Sequence, residues 1–501
     1  MSDQTWQIIS MVIYLIGMIY IGYWAYRRTA GLGDYMLGGR GLGPAVTALS
    51  AGAADMSGWL LMGLPGAIYK TGLVEAWIAV GLTIGAWLNW KLVAPRLRAY
   101  TKVASDSITI PSFLENRLRD RSRLLRVASG IIILVFFTFY VSSGMVASGV
   151  FMEKSFGMEY HVGMLLIVAV TVGYTLFGGF LAVSYTDFVQ GLMMFLALIA
   201  VPLLGLFAVG GPSGAMESIR QANPDALSMV KGATAVGVIS SLAWGLGYFG
   251  QPHIIVRFMA IRTVEETKQG RRIGIGWMVL SCLGAIATAL IGLAYFQQHP
   301  ADKITNPETV YIAMGQILFH PIVAGFMLAA VLAAIMSTIS SQLLVTSSAL
   351  VEDLYKIIAR REGSDSSYVL LGRLGVLAIS VIAAALAWTT DSPILALVAF
   401  AWAGFGAAFG PTILMALFWR KLTAQGAIAG MVTGAILVGI WGTRDGGIFD
   451  LYEILPGFVG NLVVTTVVSL MTHRHDAEIH AEFDETVRQV RREERAAAAE
   501  A

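Results

Sequence analysis

One acid stands alone in the middle of a long apolar stretch: Asp55, in Ser50-Ala-Gly-Ala-Ala-Asp-Met-Ser-Gly-Trp59. A carboxylate at the centre of a membrane helix costs roughly 2.5–3.5 kcal/mol to insert, so such groups are kept for function and face a cavity or a partner. No basic residue lies at mid-depth in any apolar stretch to pair with it. The structural alternative is a carboxylate held by helix N–H groups or by a neighbouring helix. Gly52, Gly58 and Gly63, with Ser50 and Ser57 among them, leave this stretch poorly specified as a helix. A broken membrane helix offers carbonyl oxygens to a cation and N–H groups to an anion. In lipid, such backbone survives only where it lines a cavity.

A second stretch of this kind is Trp244-Gly-Leu-Gly-Tyr-Phe-Gly-Gln-Pro252, with three glycines and a proline interleaved with Trp244, Tyr248 and Phe249. Its bland reading is tight helix packing on small residues with aromatic filling. The two breaks fall five apolar blocks apart. That spacing fits two five-helix repeats, 44–210 and 232–418, in opposite orientation because five is odd. A solute site between the two breaks follows.

A third stretch is rich in hydroxyls: Ala334-Ile-Met-Ser337-Thr338-Ile-Ser340-Ser341-Gln342, then Thr346, Ser347 and Ser348. Hydroxyls in membrane helices often bond back to their own i−4 carbonyls. Yet Ala334 and Thr338 share a face at i, i+4, with Ser337 adjacent. One carbonyl and two hydroxyls facing the carbonyls of the broken Asp55 stretch make a hard oxygen cage. Sodium shares that ligand preference, and a mostly neutral cage suits a single charge. Asp187, in Ser184-Tyr-Thr-Asp187, reads equally as a coupling residue or a structural cap. Arg40 and Arg257 read as inside-facing basic residues, with Arg40 a possible coupling residue.

The elements that must position these groups follow from composition. Over 501 residues, 56% are hydrophobic and 13% charged, against about 25% charged in soluble domains. A block of roughly 18 or more apolar residues is a membrane-spanning candidate. Thirteen spans are expected, near 6–26, 44–64, 71–94, 124–149, 161–181, 187–210, 232–252, 273–296, 318–350, 370–388, 393–418, 424–442 and 453–472. The first runs into Arg27 and Arg28 with no basic residue before it, unlike a signal peptide. With the N-terminus outside, only Lys70, Lys154, Arg220, Lys231, Lys303 and Arg444 fall outside, and the other 28 of 34 Lys and Arg fall inside. That asymmetry is the positive-inside rule. Residues 1–472 form the membrane domain. The mixed-charge tail, 473–501, is expected to be a solvated helix or a disordered end on the cytoplasmic side. Cys282 is the one cysteine, so no intrachain disulfide and no Cys/His metal cluster is expected.

These stretches, with Leu37-Gly-Gly-Arg40, Gly178-Gly-Phe-Leu-Ala-Val-Ser-Tyr-Thr-Asp187, Glu352-Asp-Leu-Tyr-Lys356 and Ala401-Trp-Ala-Gly-Phe-Gly-Ala-Ala-Phe-Gly-Pro411, resemble the sodium/solute symporter family to about residue 472. The resemblance implies an all-α polytopic fold of about thirteen helices around an inverted, LeuT-like five-helix repeat. It implies sodium cotransport, with proline as the solute. Carried over, the sodium ligands fall on the carbonyls of Ala53, Met56 and Ala334 and the hydroxyls of Ser337 and Thr338, and Asp55 matches the family's sodium-dependence aspartate. Ser57 and Gly58 match positions beside the substrate. Tyr140, Trp244, Tyr248 and Pro252 match its aromatic and proline lining. The implied location is the plasma membrane, the bacterial inner membrane, with sodium as coupling ion and no other cofactor.

Competing readings remain at this level: a carrier for pantothenate, a sugar or another amino acid, and a proton-driven carrier in which Asp55 titrates. A channel lacks its repeated filter or charged rings here. An enzyme lacks a nucleophile–base pair or a metal cluster within a span. Nothing implies a nucleic acid or an obligate protein partner.

Overall fold

A computed structural model describes residues 2–28, 32–355, 365–389 and 392–499. The architecture is helical throughout, as the apolar blocks require, since helices satisfy every backbone group internally in lipid. Among the described residues, ten helices are long and apolar enough to cross a membrane. The difference from thirteen has two physical causes. The segments 44–71 and 235–260 are interrupted, so neither half has membrane length. The element Tyr160–Ala208 runs on for 49 residues, about twice what one crossing needs. It bends at Gly179, at φ 59° and ψ −157°. A Cβ at Gly179 would stand 2.6 Å from the Tyr35 ring and 2.9 Å from its carbonyl oxygen, so only glycine turns the chain there.

Helix boundaries moved at the second break. The sequence ends that span at residue 252, but a new helix, Pro252–Ala260, begins there. Proline suits the first helical position because its missing N–H would be unsatisfied anyway. Arg257 therefore lies within a buried helix rather than in a loop, and it is 1% exposed. The start of the first broken segment and the end of the second are stitched by a parallel bridge. Leu42 N–H donates to the Ala260 carbonyl at 3.2 Å, and Arg262 N–H to the Leu42 carbonyl at 3.1 Å.

Pro321–Ser348 runs through the centre of the bundle, packed on Asp3–Tyr26, Leu124–Phe156 and Tyr160–Ala208. Ala424–Trp441 and Ile454–Thr472 pair at the periphery. Asn461 of that pair pins itself to Ile394–Phe418 by donating to the Ala407 and Ala408 carbonyls at 2.8 and 2.7 Å. Near the start of Leu124–Phe156, Arg126 draws together Glu115, Glu352 and Asp353 at 2.9, 3.1 and 2.8 Å. Lys356, the last residue of that motif, lies outside the described residues.

The tail takes the helical one of its two expected forms but is not solvated all round. Ala477–Ala499 is a helix with one face docked on the helix Ala94–Val103. Phe483 is buried between the guanidinium groups of Arg117 and Arg420. Arg119 pairs with Glu478 and Glu482, and Arg420 with Asp484.

Candidate functional site

The first break is local. The helix Pro44–Asp55 stops, Met56 takes φ −78° and ψ 71°, and helix resumes past Ser57 through a π-turn at Trp59–Gly63. The freed Asp55 carbonyl is recovered by the Ser57 N–H at 2.9 Å and the Trp59 indole N–H at 3.1 Å. The second break runs as a tight 3-10 coil over Trp244–Gly250, then extended Gln251. It lies flat on Ile394–Phe418. A Cβ at Gly247 would meet the Trp402 indole at 1.9 Å, and the Trp402 N–H donates to the Trp244 carbonyl at 2.8 Å. Its other side rests on Leu73–Val103, where Gly85 and Gly245 touch backbone to backbone.

The hydroxyls of the central helix meet the first break. Ser337 Oγ lies 2.7 Å from the Ala53 carbonyl oxygen and 3.1 Å from that of Ala334. Thr338 Oγ1 lies 3.4 and 3.2 Å from the same two oxygens. Four of the oxygens expected in the cage thus surround one point, all buried. A hydroxyl that donates to these carbonyls can turn and present a lone pair to a cation instead. The set is neutral, hard and oxygen-only, which suits a monovalent ion. Met56 is buried at the break itself.

Asp55 sits apart from the partners of this cage. Its carboxylate accepts the Tyr248 hydroxyl, so it points across to the second break rather than to Ser337 or Thr338. That bond ties an expected sodium residue to an expected substrate residue. Gly58 is covered by Ala147 at 3.1 Å, Ile335 at 3.5 Å and Ile394 at 4.0 Å, counted from the Cβ it lacks. Ile394 also lines a wide cavity of about 1000 Å³, shared with Gly63, Gly66, Glu308 and Trp388. Ser57 is buried beside Gly58 in the gap. The Tyr140 ring stands 5.8 Å from that of His253. Trp244 stacks on Tyr452 at 5.3 Å and on Trp402 at 6.5 Å. Pro252 lines a different, small cavity that runs toward Asp353.

Asp187 is a cross-link between four helical segments and not a cap. Its Oδ2 accepts from Ser50 Oγ at 2.8 Å, Arg257 Nη2 at 2.9 Å and Ser341 Oγ at 3.3 Å. Arg257 also donates to Ser50 Oγ at 2.8 Å and Ser341 Oγ at 2.5 Å. The sequence reading had assigned Arg257 to the positive-inside loops. The signal was present in Ile254-Ile-Val-Arg-Phe-Met-Ala260, an arginine flanked on both sides by apolar residues. Arg40, by contrast, is a structural tie. It donates to the carbonyls of Met259 and Ser107 at 2.8 and 2.7 Å and pairs with Asp106 at 3.1 Å. Among the described residues, no three His, Cys, Asp or Glu side chains gather as a metal cluster.

The chain is also similar to several known proteins over most of its length. The high-affinity proline transporter PutP of Bacillus subtilis (strain 168) is 59% identical over 469 residues, covering 93% of this chain and 98% of that protein. The osmoregulated proline transporter OpuE of the same organism is 54% identical, covering 93% and 95%. A sodium/proline symporter of Staphylococcus aureus (strain JH9) is 48% identical, covering 98% of both. The fold is shared with a Na+-coupled sialic acid symporter solved substrate-bound and outward-open, at TM-score 0.81 and 20% identity, covering 94% of this chain and 99% of that one. A nucleobase-cation-symport-1 family transporter, closed around bromovinylhydantoin, aligns at TM-score 0.54 and 13% identity, covering 91% and 98%. The model of the sodium:solute symporter family matches residues 35–434. With most of its length so matched, this multi-pass membrane chain belongs to the sodium:solute symporter family.

Proposed function

We propose that the chain imports L-proline together with sodium by alternating access. The observation that carries this reading is the 2.7 Å approach of Ser337 Oγ to the Ala53 carbonyl, which sets a neutral oxygen cage against a broken helix. The names of the relatives at 48–59% identity supply the solute.

Sodium arriving from outside binds the carbonyls of Ala53, Met56 and Ala334 and the hydroxyls of Ser337 and Thr338. It thereby orders the gap at Met56 and Ser57. The ordered gap offers N–H groups to the proline carboxylate, beside Ser57 and Gly58, while Tyr140, Trp244 and Tyr248 enclose the ring. Each ligand lowers the ordering cost of the other, and the coupling is reciprocal. The loaded bundle then rocks to face inward. Sodium, scarce inside, leaves, and proline follows. One charge moving inward gains about 2.3 kcal/mol per 100 mV. A tenfold sodium gradient adds about 1.4 kcal/mol, so accumulation of roughly several hundredfold is supported.

The same reading places thirteen crossings in the plasma membrane, with the N-terminus outside and the tail helix in the cytoplasm. The long Tyr160–Ala208 element crosses twice and the interrupted segments once each. Repeats 44–210 and 232–418 are then inverted copies. Uptake of labelled proline into vesicles carrying an inward sodium gradient tests the proposal. Accumulation that needs sodium and is competed by unlabelled proline is expected. Uptake unaffected by removing sodium, or displaced by pantothenate or a sugar but not by proline, would overturn it.

A further inference from the structure

Asn89 is fully buried in the helical segment Leu73–Val103, at the start of a single π-turn, Asn89–Val93. Neither its amide oxygen nor its amide nitrogen has a hydrogen-bond partner among the described residues. Oδ1 of Asp55 also lacks one, although Oδ2 of the same carboxylate receives the Tyr248 hydroxyl. Both residues line one small cavity of about 20 Å³, walled by Gly52, Trp90, Tyr248 and Met278 among others. That volume holds a single water or a single ion and is far too small for an amino acid.

Three arguments converge. A buried carboxamide with no partner is costly, and native structures keep such a group where something absent from the protein chain completes it. A π-turn inserts a residue into the helix, re-aims the side chains around it, and recurs at functional sites. No Lys, Arg or His is among the residues that line the cavity, so the carboxylate there has no cation from the protein. One carboxylate oxygen and one carboxamide oxygen facing room for one atom are the ligands of a hard cation.

We propose that this cavity is a second sodium-binding centre, distinct from the hydroxyl cage, in which Asp55 Oδ1 and the Asn89 amide oxygen hold the ion. The inference rests on the sodium-coupled reading above. The two oxygens of Asp55 then have separate tasks: Oδ2 anchors Tyr248 of the second break, and Oδ1 faces the cation. The cage takes the carbonyl of Ala53, two residues before Asp55, so a shift of the broken helix at either centre is felt at the other.

Equilibrium binding of radioactive sodium to the purified full-length protein, without proline, tests this. The paired Ser337→Ala and Thr338→Ala variant removes the cage hydroxyls and is expected to retain saturable sodium binding. Adding Asn89→Leu, which fills the amide's space and removes both of its unpartnered polar atoms, is expected to weaken that binding roughly tenfold or more. A cage variant with no saturable sodium binding overturns the proposal. So does an affinity that Asn89→Leu leaves unchanged. If the leucine variant does not purify as a single folded species, Asn89→Asp in the same background replaces it. Its extra carboxylate is expected to hold sodium at least as tightly, and weaker binding there overturns the proposal. Proline uptake by the wild-type protein reads the underlying transport reading separately, because it involves none of these variants.

Discussion

Arg257 donates from Nη2 to the Asp187 carboxylate at 2.9 Å, and neither side chain reaches solvent, at 1% and 0% exposure. Ser50 and Ser341 complete the cluster, so four helical segments share one charge pair. Removing one partner of a buried pair strands the other charge and costs about 3–5 kcal/mol. Asp187→Ala and Arg257→Ala are each expected to lower the melting temperature in detergent and the yield of folded protein. The neutral pair Asp187→Asn with Arg257→Gln is expected to recover part of both. Single variants as stable as the wild type would show that the cluster does not hold these helices.

The cage makes a direct prediction. With Ser337→Ala and Thr338→Ala together, sodium-driven proline uptake is expected to be lost. Either change alone is expected to raise the sodium concentration for half-maximal uptake by roughly tenfold, about 1.4 kcal/mol. Sodium titration of uptake measures both. Retained uptake at low sodium in the double variant would remove these hydroxyls from the site.

Tyr248 and Asp55 join the two breaks by a hydrogen bond to a charged group, a class of bond whose net contribution is about 1.5–3 kcal/mol. Tyr248→Phe keeps the ring and deletes the bond. Both the proline concentration and the sodium concentration for half-maximal uptake are expected to rise, because one hydroxyl serves both halves. Asp55→Cys is expected to raise the sodium requirement far more than it lowers expression. A Tyr248→Phe variant that changes proline affinity alone would separate the two functions.

Gly85 faces Gly245 so closely that a Cβ on Gly85 would stand 2.1 Å from the Gly245 carbonyl oxygen. Gly85→Ala must push the Trp244–Gly250 coil off Leu73–Val103. Loss of uptake with a lowered melting temperature is expected. Gly439→Ala serves as the control, since nothing lies within 4 Å of its missing Cβ. Equal behaviour of the two variants would refute the close contact.

The docked tail carries a pH dependence. His480 is pulled below its ordinary 6.5, first by burial and then by the positive charge of His475, His473, Arg420 and Arg117 around it. Asp476, at the helix start, is held low by the N–H groups of Ile479 and Glu478 and stays ionised. A histidine whose value is lower when docked takes up a proton more readily when released, so docking weakens as pH falls below about 6.5. Hydrogen exchange over 477–490, corrected for intrinsic rates, is expected to quicken about one unit below that value relative to one unit above. Phe483→Ala is expected to quicken it at both.

The helical class and the two breaks were legible because lipid leaves backbone few options. Gly52, Gly58, Gly247 and Pro252 stand out against apolar blocks, and the Ser337–Thr338 face follows from helical spacing. Arg257 was misplaced by the charge rule, although its apolar flanks carried a signal. Its rule counts charges by the side of the membrane, and that rule places an arginine near a helix end in a loop. Only the resumption of helix at Pro252 draws it inward. Asn89 gave no signal, since an asparagine next to Trp90 and Lys91 reads as the end of a span. The direction of the Asp55 side chain was equally hidden. The family resemblance put it with the sodium ligands, but which neighbour it meets depends on how a second, distant break is seated. The tail looked solvated because its charges dominate, while its buried apolar face is carried by few side chains, Phe483, Val487 and Val490, among many ionic residues.

The halves of the two interrupted segments measure 12 residues for Pro44–Asp55 and 13 for the π-turn Trp59–Gly63 with the helix Leu64–Thr71 that continues it, and 9 and 9 for Ala235–Ala243 and Pro252–Ala260. The machinery that releases a growing chain sideways into lipid sorts segments by continuous apolar length. Neither segment presents such a length as unbroken helix. Each is then expected to stay beside its neighbours until they escort it across, so on the transport reading proposed above the parts that handle the cargo would be inserted by the rest of the bundle rather than by their own affinity for the bilayer.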